Sequence, residues 1–227
     1  MKDRQIEITQ ALSEIERRIA QAADRAQRSR EEITLIAVTK NYPASDVAIL
    51  RDLGVRDFGE NRENEGRAKS ALVSGVWHFQ GQIQSNKIAA ISRWADVIHS
   101  IDKATHIEKL AATIPPYKTL SAFLQVSLDI QPDRGGVGES ELAGLAQLVL
   151  EHPQIHLIGL MAVAPLGQPP ELAFMKLQRI HIDFQCKFPS ATALSAGMSG
   201  DFESAIEHGA THVRIGSSIL GLRSLKR

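Results

Sequence analysis

Lys40 stands where an apolar, β-branched run, residues 31–41 (EEITLIAVTKN), gives out. The run is long enough for one strand buried on both faces. An amine at that point faces whatever lies beyond the strand's carboxyl end, which is where parallel α/β folds bind ligands. Two later stretches combine small residues with hydroxyls: Ser195-Ala196-Gly197-Met198-Ser199-Gly200 and Arg214-Ile215-Gly216-Ser217-Ser218. Small residues let an oxyanion approach the backbone closely, and hydroxyls add donors. Either stretch alone reads as an ordinary turn. At adjacent strand ends they read as a phosphate cradle, with the helix that begins at Asp201 turning its positive end towards the anion.

For these groups to meet, the elements carrying them must end on one side of the fold. The chain opens with an amphipathic helix over about 5–29, in which Ile6, Leu12, Ile15, Ile19 and Ala23 recur at helical spacing. Strands are then expected over 33–39, 56–59, 76–79, 96–99, 119–128, 155–163, 191–195 and 211–215. Helices are expected between them over 44–53, 61–72, 85–94 (capped by Ser85), 103–112, 139–151, 170–188 and 201–208. Regular alternation without a linker-like break points to α/β architecture: one closed TIM-type (β/α)8 barrel over about 31–221, with an extra N-terminal helix, in a single domain 1–227. An open doubly wound sheet fits less well, because no Gly-x-Gly-x-x-Gly turn follows the first strand and no Walker-type loop occurs.

A barrel gathers its strand ends on one rim. Here that rim comprises Lys40, Glu60 with Asn61, His78 to Gly81, His99 with Asp102, Ser127, Met161, Ser195 to Ser199 and Gly216 to Ser218. Lys40 amid apolar walls and a cradle after the last two strands suit a ligand that joins an electrophilic carbon to a phosphate. Pyridoxal 5′-phosphate (PLP) is such a molecule.

Composition narrows the class further. The 227 residues carry 26 basic and 26 acidic side chains, which gives no electrostatic case for nucleic acid or an anionic membrane as the main partner. The lone Cys186, beside Phe184 and Phe188, reads as a core or surface thiol. No apolar run reaches membrane-spanning length and the N-terminus lacks a signal-type apolar core, so a cytoplasmic location is expected. The histidines form no HExxH motif, and no metal site is expected. His78, between Trp77 and Phe79, reads as a hydrogen-bonded rim or core histidine. A monomer is the default expectation.

The motifs Val38-Thr39-Lys40, Phe58-Gly59-Glu60-Asn61, Trp77-His78-Phe79-Gln80-Gly81-Gln82-Ile83-Gln84-Ser85-Asn86-Lys87, His99-Ser100-Ile101-Asp102, Gly159-Leu160-Met161-Ala162, Leu194-Ser195-Ala196-Gly197-Met198-Ser199 and Val213-Arg214-Ile215-Gly216 stand in this order from the first strand to the last. They closely resemble the pyridoxal phosphate homeostasis protein family. The resemblance implies a barrel like the alanine racemase N-terminal domain, with PLP held as an internal aldimine on Lys40. It also implies phosphate contacts from Ser199, Gly216 and Ser217, and Arg214 approaching the pyridine nitrogen, with Asn61 and His78 as further cofactor-binding residues. An arginine there leaves the ring nitrogen largely unprotonated, and so the cofactor is a poorer electron sink. One departure stands out: many relatives have Lys-x-Gly after the fifth strand, where this chain has Arg134-Gly135-Gly136.

Three functions follow: a PLP-binding homeostasis protein without turnover of its own, handing PLP to apoenzymes; a PLP-dependent amino-acid racemase or related enzyme; and a cofactor-free Schiff-base lyase. Two-base racemisation needs groups on both faces of the bound substrate. Enzymes of the similar fold draw an opposing tyrosine from a further C-terminal domain and a partner subunit. The chain ends about a dozen residues after its last strand, and neither Tyr42 nor Tyr117 is an evident opposing base. The first function is therefore expected.

Overall fold

The computed structural model describes residues 2–129 and 135–221. Its strands are β1 (Thr34–Val38), β2 (Asp57–Glu60), β3 (Val76–Phe79), β4 (Val97–Ile101), β5 (Leu120–Gln125), β6 (Ile155–Met161), β7 (Ala193–Ser195) and β8 (His212–Ile215). Every neighbouring pair is parallel, and β8 closes on β1 through Leu35↔Val213 and Ile36↔Arg214, so the sheet is a barrel with no open edge. Closure brings β6 very near β7. A Cβ on Gly159 would lie 1.7 Å from the Ala193 carbonyl oxygen.

Helices α1 (Lys2–Arg25), α2 (Ala44–Asp52), α3 (Glu63–Ser70), α4 (Ile88–Trp94), α5 (Ala104–Thr113), α6 (Leu142–Leu150), α7 (Pro170–Lys187), α8 (Phe202–Glu207) and α9 (Ser217–Leu220) surround it. Among the described residues none is long and apolar enough to cross a membrane. The main core lies between the strands' outward faces and the helices, where Phe58, Trp77, Ile98, Leu124, Leu194 and Val213 meet the helical stripes. Helix α1 contributes Ile8, Leu12, Ile15 and Ile19 to it, packing on α8 and α9.

Several element boundaries differ from the sequence expectation. Ser85 does not cap α4: residues 84–87 form a turn closed by Lys87 N–H donating to the Gln84 carbonyl, and the helix starts only at Ile88. Ser and Asn in succession favour such a turn. Strand β5 ends at Gln125, and Val126 then bridges to Val137 beyond the loop. The helix expected over 139–151 starts as a 3-10 turn, Glu139–Glu141, and α9 was not anticipated. Cys186 is exposed. Arg134 lies outside the described residues.

Alternation along the strands turns an unusual set of side chains inward. Barrel interiors are ordinarily filled by branched aliphatics. Here Val97, Phe123 and Met161 share the interior with His78, His99, Ser195 and Arg214.

Candidate functional site

At the carboxyl ends of the strands lies a cavity of about 450 Å³, a size typical of small-ligand sites. Its wall includes Lys40 after β1, Asn61 after β2, Gln80 after β3, Ser199 after β7, Arg214 on β8, and Gly216 with Ser217 after β8. Six of the seven residues expected to touch a cofactor thus face one space.

His78 is the exception. Of the rim and core placements read from the sequence, the structure shows the core: His78 lies in the barrel interior, 1% exposed, hydrogen-bonded, and absent from the cavity wall. The period-two alternation of β3 turns it inward between the outward-facing Trp77 and Phe79. Glu60, His99, Asp102, Ser127 and Ser195 are likewise rim expectations that do not line the cavity.

Lys40 is exposed at the cavity rather than buried against apolar walls, and the backbone on either side of it is held from α3. Lys69 Nζ donates to the Thr39 carbonyl (2.8 Å) and to Glu60 Oε1 (2.6 Å), while Glu65 Oε2 accepts from the Asn41 N–H (2.5 Å) and from Lys69 (3.1 Å). Thr39 Oγ1 donates to Glu60 Oε1 (2.7 Å). Burial is the largest influence on Glu60 and raises its pKa, with the Lys69 and Thr39 hydrogen bonds opposing it. Asn41 adopts φ 71°, a left-handed conformation in the turn that follows β1 and carries Lys40. Lys69 and Glu65 carry no sequence signal of this role, because on a charged helix they read as solvated surface.

The cradle stretches converge as expected. Ser217 Oγ donates to Ser199 Oγ (3.2 Å), and both residues line the cavity beside Gly216. A Cβ at Gly216 would lie 2.9 Å from the Val38 carbonyl oxygen, so the close approach of β1 requires glycine there. Asp201 turns back on its loop, and its carboxylate accepts from the Met198 N–H (2.6 Å).

Arg214 is 6% exposed on the cavity wall. Its Nη1 donates to Ser195 Oγ (2.7 Å) and its Nη2 to the Ala162 carbonyl (2.9 Å). Burial lowers its pKa to about 10, so it stays cationic at neutral pH. Behind it runs a chain of side chains. Ser195 Oγ lies 2.9 Å from His99 Nδ1, His99 Nε2 lies 2.8 Å from His78 Nδ1, and His78 Nε2 lies 3.0 Å from Asp57 Oδ1. A carboxylate only accepts, so with both imidazoles neutral the direction is set from the Asp57 end. In that form His78 donates from Nε2 to Asp57, His99 donates from Nε2 to His78, and Ser195 donates to His99 Nδ1. Burial holds His99 well below the usual histidine pKa, which suits its neutral form in this chain.

An exposed amine, a pair of hydroxyls and a buried cation thus share one cavity wall. The alanine racemase N-terminal domain model matches residues 11–224. The fold and site thus define a barrel of the alanine racemase N-terminal class. The structural likeness extends to alanine racemase of Corynebacterium glutamicum, with a TM-score of 0.72 at 16% identity over 98% of this chain and 64% of that one, a likeness of fold.

Within that class the similarity is much closer to one group. The chain is 40% identical, over 99% of its length and 96% of the relative's, to the pyridoxal phosphate homeostasis protein of Mycobacterium bovis. It is 36% identical to that of Escherichia coli K12, over 97% of this chain and 99% of the relative. A structure of PipY from Synechococcus elongatus with PLP bound superposes with a TM-score of 0.81 at 31% identity, covering 94% of this chain and all of that one. The chain belongs to the pyridoxal phosphate homeostasis protein family.

Proposed function

We propose that this protein binds PLP covalently through Lys40 and serves PLP homeostasis in the cytoplasm, passing the cofactor to PLP-dependent apoenzymes without efficient turnover of its own. The observation that carries this reading is the sharing of one cavity wall by Lys40, the Ser199–Gly216–Ser217 cradle and Arg214. When bound, PLP supplies an aldehyde that an amine can take up reversibly and a ring that absorbs visible light. Lys40 supplies the amine, on a backbone fixed by Lys69 and Glu65. The Ser199 and Ser217 hydroxyls and the backbone at Gly216 hold the phosphate, and Asn61 adds a polar contact. Arg214 presents a permanent cation to the ring nitrogen and withholds the carboxylate that would share a proton with it. Of the two tyrosines, Tyr42 lines the cavity but its hydroxyl donates to the Gly221 carbonyl, and Tyr117 is 90% exposed. Neither stands as an evident base for two-sided proton transfer, which supports the carrier reading over the racemase.

The test is the visible spectrum of the purified protein with PLP, before and after borohydride, beside Lys40→Ala, followed by amino-acid turnover. A visible band bleached by borohydride and missing in Lys40→Ala, with negligible turnover, is expected. A colourless wild type would overturn the cofactor assignment, and substantial Lys40-dependent turnover would overturn the carrier reading.

A further inference from the structure

Gln80 lines the cavity, and its Nε2 is a buried donor with no hydrogen-bond partner among the described residues. Buried amide nitrogens are ordinarily paired, and one left unpaired is a penalty within the protein alone. The position of this amide is nevertheless built. Gly59 on β2 carries no side chain, and a Cβ there would lie 2.9 Å from Cδ, Oε1 and Nε2 of Gln80. The Gln80 N–H donates to the Glu60 carbonyl (2.8 Å), which registers the residue against β2. The amide therefore lies across the Gly59 backbone at the cavity with a donor to spare.

The order of the barrel says what that donor meets. Around the rim the cavity wall runs from the cradle after β7 and β8, to Lys40 after β1, to Asn61 after β2, to Gln80 after β3. Around the PLP ring the substituents run in the same sequence: the phosphate arm, then the aldehyde carbon, then the phenolic oxygen. With the phosphate on the cradle and the aldehyde carbon at Lys40, the phenolic oxygen falls on the β2–β3 side. We propose that Gln80 is a further cofactor-contacting residue, whose Nε2–H donates to the phenolic oxygen of bound PLP; this rests on the PLP reading above. A hydrogen bond to an oxygen that carries negative charge is among the stronger kinds.

The experiment measures dissociation constants by absorbance titration for wild type, Gln80→Leu and Gln80→Glu, each with PLP and with 3-deoxypyridoxal 5′-phosphate, which lacks that oxygen. Gln80→Leu should weaken PLP about ten-fold while changing the deoxy analogue less than about two-fold. Gln80→Glu should discriminate against PLP further, because its carboxylate faces the phenolate. Thermal unfolding of ligand-free Gln80→Leu should be unchanged or raised, because the replaced donor has no partner to lose. Equal losses for the two ligands, or no loss, would overturn the inference. So would a destabilised ligand-free Gln80→Leu that keeps wild-type selectivity, because that is the signature of a structural residue. A wild type that develops no visible band with PLP overturns the PLP reading and this inference together, whereas a wild-type band without Gln80-dependent selectivity overturns this inference alone.

Discussion

Ser195 joins the cavity to the barrel interior, because its hydroxyl accepts from Arg214 and pairs with His99 Nδ1. Ser195→Ala would leave a guanidinium N–H and an imidazole nitrogen buried without partners, at a cost of about 1–3 kcal/mol. Urea denaturation should show that loss. If Arg214 faces the ring as proposed, the PLP-loaded variant should also show a shifted visible band, since the guanidinium has lost its bond to Ser195; a wild-type midpoint and spectrum together would refute the role. The meeting of Lys40 with the two small-residue loops at one cavity was legible in the sequence because its signals are local: an amine where a strand stops, and small hydroxylic residues in adjacent turns. The interior chain was only half legible. His78 between two aromatics announces a polar residue turned the other way from its neighbours, but its pairing with His99 and Asp57 depends on the register of β2, β3 and β4. Gln80 falls within the expected rim, yet its amide's lack of a partner is a property of the packed side chains.

Among the elements, α1 links to function by what it supports. It lies against α8 and α9, the helices that follow the two cradle loops. Arg4 donates to the Leu220 carbonyl at the end of α9 (2.8 Å), and the Arg18 guanidinium lies 4.8 Å from the centre of the Phe202 ring on α8. Ile15, 1% exposed, sits in the middle of the buried stripe. Ile15→Ala should therefore cost about 2–5 kcal/mol of stability, and should also speed PLP release as the helices behind the cradle loosen. Unfolding and dissociation-rate measurements on the same variant test both effects; unchanged release despite lost stability would confine α1 to a packing role. The apolar period of α1 was plain in the sequence. Helix α9 was not, because four residues are little more than one turn and carry no period. Residues 84–87 misled the reading in the opposite direction, since Ser85 has the chemistry of a cap but sits in a turn that precedes the helix.

At the scale of the whole molecule, eight expected strands with seven helices between them made the barrel legible, but they left open what fills it. The filling determines how the fold responds to acid. Burial is the main cause that lowers His212 to about 4 from its ordinary 6.5; His78 and Arg214 push it the same way and Asp57 opposes them. Burial likewise drives His99 well below 6.5, with His78, Arg214 and His212 adding to the effect. In this window the unfolded chain binds protons that the folded barrel refuses, so stability rises with pH. The contribution is fully present above the unfolded value of 6.5 and is lost as pH falls towards the folded value of about 4. From His212 alone, moving from pH 8 to pH 5 should cost about 2 kcal/mol, with His99 adding to it. Chemical denaturation across that range should show the decline, and His212→Gln, which cannot take up the proton, should flatten it. A wild-type stability that stays level down to pH 5 would show that the interior histidines do not set the acid limit of the fold, and a His212→Gln slope equal to that of wild type would remove His212 from that role.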